Sequence, residues 1–144
     1  MNMKFENSEY FKSIKHTKVK KPFGTFYFCE RFFIAELNES VHFDWQMVKD
    51  VMSDVVDFYG AHAKLGYLSN RVNSYSMDPH SWEKVYKKYG IIVASAIVAY
   101  NNFTSMNAAI EKQFSSKSIK SCYSLEEAIN WISKLKELNW YHDD

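Results

Sequence analysis

The nine residues from Ile91 to Ala99 constrain this chain most. They read Ile-Ile-Val-Ala-Ser-Ala-Ile-Val-Ala, with no charge and no alternation of apolar and polar residues. A strand with one wet face alternates, whereas a strand inside a parallel sheet is covered on both sides and reads as a continuous apolar run. The stretch is far too short for a bilayer-spanning helix, which needs about 20 apolar residues. Just upstream, Lys64-Leu-Gly-Tyr-Leu68 reads as a strand, Ser69 to Asp78 as a polar loop, and Pro79 to Tyr89 as a helix with Trp82, Val85, Tyr86 and Tyr89 on its buried face. Asp78 supplies a cap, Pro79 sits at the first helical position, and Gly90 closes the helix. Strand, helix, strand in that order is a βαβ unit, which makes the two strands parallel and the crossover right-handed.

The remaining segments extend this unit in both directions. Two β-prone runs around Glu30-Arg31, within Thr25 to Leu37, read as an antiparallel hairpin with a turn longer than two residues. Asp44 caps a helix in which Val48, Val51, Met52, Val55, Val56 and Tyr59 recur at helical spacing, and Gly60 ends it. Phe103, Met106, Ile110 and Phe114 mark a third helix, capped near Asn102 or Thr104. Ile119 to Tyr123 reads as a short last strand. Ser124 and Glu127 form a capping box ahead of a final helix bearing Leu125, Ala128, Ile129, Ile132 and Leu135. The expected fold class is α/β: an N-terminal β-hairpin, then a right-handed β-α superhelix, with a mixed, mostly parallel sheet and helices mainly on one face. The opposite face then needs cover from the N-terminal segment or from a partner. Residues 1–23 are expected to form an N-terminal extension or edge strand, 24–138 a single domain, and 139–144 a frayed tail.

Composition narrows the function classes. Lys and Arg number 18 against 17 Asp and Glu, so the net charge of +1 creates no field that would recruit nucleic acid. Cys29 and Cys122 lie on separate predicted strands without paired spacing, which suits buried free thiols in a reducing compartment. The first residues are polar, with no apolar leader core, so a cytoplasmic protein without a membrane span is expected. No Gly-x-Ser-x-Gly elbow, Gly-rich phosphate loop or metal-ligand spacing occurs, so neither an enzyme, a metal site nor a cofactor is expected. The weakest candidate chemistry is hydrolysis by Ser69 or Ser76 with His80.

The polar loop sits beyond the carboxyl end of a strand, where α/β proteins keep their sites. Asn70 and Asn73 build ordered loops by bonding to nearby backbone. Arg71 carries a planar fork suited to carboxylate or phosphate. Ser69, Ser74 and Ser76 add hydroxyls, and Tyr75 a ring that could frame a pocket with Tyr67 and Tyr100. The alternative is that these groups knit the loop together while Arg71 pairs with a nearby acid.

The phrases Gly66-Tyr-Leu-Ser-Asn-Arg-Val-Asn-Ser-Tyr-Ser76, Asp78-Pro79 and Glu126-Glu-Ala-Ile-Asn-Trp131, with the element order, resemble the STAS (SpoIIAA-like) domains, including bacterial members of unassigned role. The resemblance covers about residues 24–136. It implies a STAS-like fold and a non-enzymatic regulatory or protein-interaction role, with the loop 69–78 and its adjoining helix as the recognition surface. The candidate binding residues are Ser69, Asn70, Arg71, Asn73, Ser74, Tyr75 and Ser76. A protein partner, a second copy of the chain, or a small anionic or apolar ligand would occupy them. In the anti-sigma-factor antagonists a phosphorylatable serine stands in an Asp-Ser-Ser/Thr-Gly context. Ser69 is its positional equivalent here, without the preceding Asp or the following Gly.

Overall fold

The computed structural model describes residues 2–138. A 3-10 turn (Phe5–Asn7) and a one-turn helix α1 (Tyr10–Ser13) lead into β1 (His16–Lys21), β2 (Gly24–Cys29) and β3 (Phe32–Leu37). There follow β4 (His42–Phe43), α2 (Trp45–Tyr59), β5 (Leu65–Arg71), β6 (Ser76–Met77), α3 (Ser81–Lys88), β7 (Ile92–Ala99), α4 (Asn102–Lys112), β8 (Ile119–Cys122) and α5 (Leu125–Ser133). Six strands form one sheet in the order β1-β2-β3-β5-β7-β8, antiparallel across the first three and parallel thereafter. This is the expected α/β architecture. The apolar run ends up as β7, interior between β5 and β8.

Both faces of the sheet are buried across its interior, which is why β2, β3 and β7 read largely apolar, whereas the edge strand β1 is polar and partly exposed. Phe26, Phe28, Phe33, Ala35, Leu37, Leu65, Tyr67 and Ile97 point to the face covered by α2 and α3, with Ala108 of α4 beside them. Tyr27, Cys29, Phe32, Ile34, Leu68, Ala94, Ala96 and Val98 point to the other, covered by α5 and by Phe5 of the N-terminal turn. The N-terminal segment therefore supplies cover that the superhelix leaves missing. Helix α5 approaches very closely: a Cβ on Gly66 would lie 2.5 Å from Ile132 Cδ1, so any larger residue on β5 at that point would have to displace the Ile132 side chain.

The hairpin pairs Phe28 with Phe33, which leaves four residues outside the register, and Asp44 caps α2 by accepting the Met47 N–H. Two features depart from the sequence reading. Strand β5 continues through Ser69, Asn70 and Arg71 instead of ending at Leu68, because β7 pairs with it as far as Arg71↔Ala99. The residues after it return to form a small parallel ribbon, β4 with β6, that the sequence did not signal. Residues before β1 are ordered against the sheet, with Phe5 fully buried. The expected frayed tail, 139–144, lies outside the described residues. No helix among the described residues is long and apolar enough to cross a membrane.

Candidate functional site

Successive residues of β5 point to opposite faces, so the predicted loop residues divide between two buried networks. On the α2/α3/α4 face, Arg71 donates from Nη1 and Nη2 to the two carboxylate oxygens of Glu111, each at 2.7 Å. Its Nε donates to Ser69 Oγ at 2.9 Å, and that hydroxyl lies 2.9 Å from the Tyr75 hydroxyl. Trp82 Nε1 donates to Glu111 Oε1 at 3.0 Å, and the Arg71 guanidinium lies 5.0 Å from the centre of the Tyr75 ring. Every member of this network is buried. Burial pushes the Tyr67 and Tyr75 phenols up, so both act as neutral hydroxyls.

On the opposite face Asn70 donates to Glu36 Oε2 at 2.7 Å and to Met3 O at 2.9 Å, and accepts from the Tyr100 hydroxyl at 2.6 Å. Glu36 also accepts the Phe5 N–H at 2.8 Å, which fastens the N-terminal segment over the sheet. Burial raises the Glu36 pKa despite these donors, and pushes Tyr100 up to about 12. Tyr67 and Tyr75 therefore lie across the sheet from Tyr100, and the three rings frame no common pocket.

Ser69, Asn70 and Arg71 are buried in a strand and engaged internally, with Ser69 at 0% exposure and Arg71 holding the Glu111 carboxylate. Asn73 is half-buried and donates to Leu37 O, while the Ser74 carbonyl accepts from Ser40 N–H. Tyr75 is buried. Ser76 alone is exposed, and its hydroxyl lies 2.8 Å from His42 Nδ1, not beside His80. His80 instead meets Asp78 Oδ1 at 2.9 Å. Burial pushes the Cys29 thiol up to about 12 and Cys122 up to about 11, which makes both poor nucleophiles. No cluster of three or more His, Cys, Asp or Glu residues that could hold a metal ion occurs among the described residues.

The exposed feature of this end of the molecule is α4. Its inner face carries Thr104, Ala108 and Glu111, whereas Phe103, Met106 and Ile110, with Phe114 just past its end, stand out of the fold at 61%, 67%, 48% and 38% exposure. His80, at the start of α3, packs its ring 4.7 Å from that of Phe114 and extends the patch toward β6. Sequence reasoning found the stripe as a helix marker and missed Glu111 and Glu36. Two signals were available: Glu36 is the only charge in Phe32–Leu37, and Glu111 lies about 100° around the helix from Ile110, off the apolar stripe.

A mixed sheet, wound in one direction from an N-terminal hairpin and flanked by an outward-facing apolar helix, defines an α/β domain. No family model matches the chain, and no curated protein matches it. Among solved structures it is similar to an uncharacterized protein of the DUF3478 family with a SpoIIAA-like fold, from Shewanella loihica PV-4. The two are 13% identical, the match covers 83% of this chain and 93% of that one, and the TM-score is 0.48.

Proposed function

We propose that this chain is a non-enzymatic protein-interaction domain and that its recognition surface is the outer face of α4 with the adjoining His80 corner, not the strand end at Ser69–Arg71. One observation carries the reading: four large apolar side chains stand in a row along α4 and just past its end, while the helix meets the fold through Thr104, Ala108 and Glu111. At roughly 200 Å² for a fully exposed large side chain, their exposed fractions amount to about 400 Å². A contiguous patch of that size is at the level where monomers normally carry a functional surface. The buried Arg71–Glu111 pair holds the stripe outward, because rolling α4 to bury it would carry Glu111 away from Arg71. The test is affinity capture of the tagged chain from cells that express it, beside a Phe103→Ser/Met106→Glu variant checked for an unchanged fold by circular dichroism. The wild type is expected to retain a stoichiometric protein that the variant loses. Identical captures would remove α4 from the function.

A second reading, a small apolar ligand, rests on a different observation. A cavity of about 40 Å³ between the sheet and α2/α3 is lined by Phe33, Val51, Met52, Tyr67 and Trp82, among other apolar groups. Ser81 Oγ also lines it, buried and without a hydrogen-bond partner. This volume takes a water molecule or a ligand of very few heavy atoms. Native mass spectrometry of protein purified without denaturation tests it; a clean apo mass counts against this reading.

A further inference from the structure

We propose that the partner of the α4 stripe is a second copy of this chain, docked antiparallel across a twofold axis that passes between Met106 and Ile110. The proposal rests on the preceding reading that α4 meets a protein, and it names which one.

Two observations favour self-association. The stripe is close to palindromic in chemistry and spacing. Phe103, Met106, Ile110 and Phe114 step by three, four and four residues, so each lies on the same side of the helix. Reversing a copy about the midpoint sets Met106 against the partner's Ile110 and Phe103 against the partner's Phe114, aromatic on aromatic and aliphatic on aliphatic. A twofold interface needs this self-complementarity, because every contact occurs twice.

Charge agrees. Lys112 is the only charged residue among the exposed positions of α4, since Glu111 is turned inward and neutralised by Arg71. In the antiparallel arrangement Lys112, two residues from Ile110 and so about 200° around the helix, stands off the seam, and no like charges meet. The flanking Asn102 and Gln113 are uncharged and can supply a polar rim. A face with so little charge has little with which to select a charged heterologous surface.

Two stripes of about 400 Å² each remove roughly 800 Å² from water, short of the 1,200–2,000 Å² that a stable interface buries in total, so the dimer must also cover residues that flank the stripe. A seam of Phe and Met at helical spacing also suits packing of one helix against another, where ridges of side chains interlock.

The experiment uses the antiparallel register itself. Sedimentation velocity over a concentration series is expected to give twice the chain mass for the wild type. Met106→Glu and Ile110→Lys, each at an exposed position where the fold tolerates change, are each expected to sediment as monomers, with self-affinity at least tenfold weaker. Mixed together, they are expected to recover a dimer. Glu at 106 on one chain then faces Lys at 110 on the other, while the second crossing keeps the native Ile–Met contact. A wild-type monomer at every concentration overturns the proposal. So does a dimer that survives both substitutions, or a mixture that stays monomeric. A monomeric wild type that still loses a different captured protein on Met106→Glu overturns self-association while sparing the interaction reading. A monomeric wild type with unchanged capture defeats both.

Discussion

Helices α4 and α5 each follow a parallel strand and begin in the same way. Asn101 Oδ1 accepts the Thr104 N–H at 2.8 Å to start α4, and Ser124 Oγ accepts the Glu127 N–H at 3.0 Å to start α5. Each carries an apolar row at helical spacing. On α5 the row Leu125, Ala128, Ile129 and Ile132 is buried against β5 and β7, whereas on α4 the row faces water and the helix binds the sheet through Glu111, Thr104 and Ala108. Capping and periodicity decide that a helix forms and which residues share a side. They do not decide which side meets the sheet, because that depends on what the sheet presents. Beneath α5 it presents Gly66 and small alanines; beneath α4 it presents Arg71.

If a buried ion pair sets the facing of α4, removing one partner should have the largest effect. Glu111→Ala leaves a buried guanidinium without its carboxylate and strips Trp82 Nε1 of its acceptor, and should cost about 3–5 kcal/mol in urea unfolding. Replacing both charges, Arg71→Met with Glu111→Leu, should recover most of that loss, since well-packed apolar substitutes for a buried pair are often neutral or better. A Glu111→Ala loss below about 1 kcal/mol would mean that something else holds α4 with its stripe outward.

The same residue type on the two helices provides the next comparison. Ile132 is fully buried against Gly66, and Ile110 is half exposed. Ile132→Ala should cost about 2–5 kcal/mol through lost burial and the cavity left behind. Ile110→Ala, measured at concentrations where the chain is monomeric, should stay within about 0.5 kcal/mol. Equal losses would indicate that α4 buries its stripe in solution.

These differences explain how much could be read from the residues. Legible features were those set by local chemistry: the Asp44 cap and Gly60 stop of α2, the hairpin, the Ser124 cap, and the two-sided burial of Ile91–Ala99. The end of β5 was not legible, because Ser, Asn and Arg in succession carry every local mark of a loop. They stay in the strand because β7 supplies backbone partners and each side chain finds a buried partner far along the chain: Glu111 for Arg71 and Glu36 for Asn70. Neither acid is near β5 in sequence, so no window centred on the loop contains the reason that Arg71 is not free. The alternative weighed for Arg71, pairing with an acid, is the one the fold adopts.

The smallest expected effect contrasts the two buried carboxylates. Glu111 is matched by a guanidinium. Glu36 is held only by neutral donors, the Phe5 N–H and Asn70, and burial raises its pKa, with Lys4 and Glu6 as the nearby charges. A carboxyl whose folded pKa lies above its unfolded value, near 4.3, binds its proton more readily in the folded chain. Stability from this group is therefore present at low pH and declines as pH rises through the folded pKa, the reverse of a paired carboxylate. Glu36→Gln removes that titration while retaining an oxygen that can accept the Phe5 N–H. The urea midpoint of Glu36→Gln relative to wild type should therefore be highest at neutral pH and fall as the solution is made mildly acidic. A relative midpoint that instead rises on acidification would mean that the charged form of Glu36 is the one the fold prefers. The N-terminal segment would then be held by charge much as α4 is, and the contrast between the two faces of β5 would disappear.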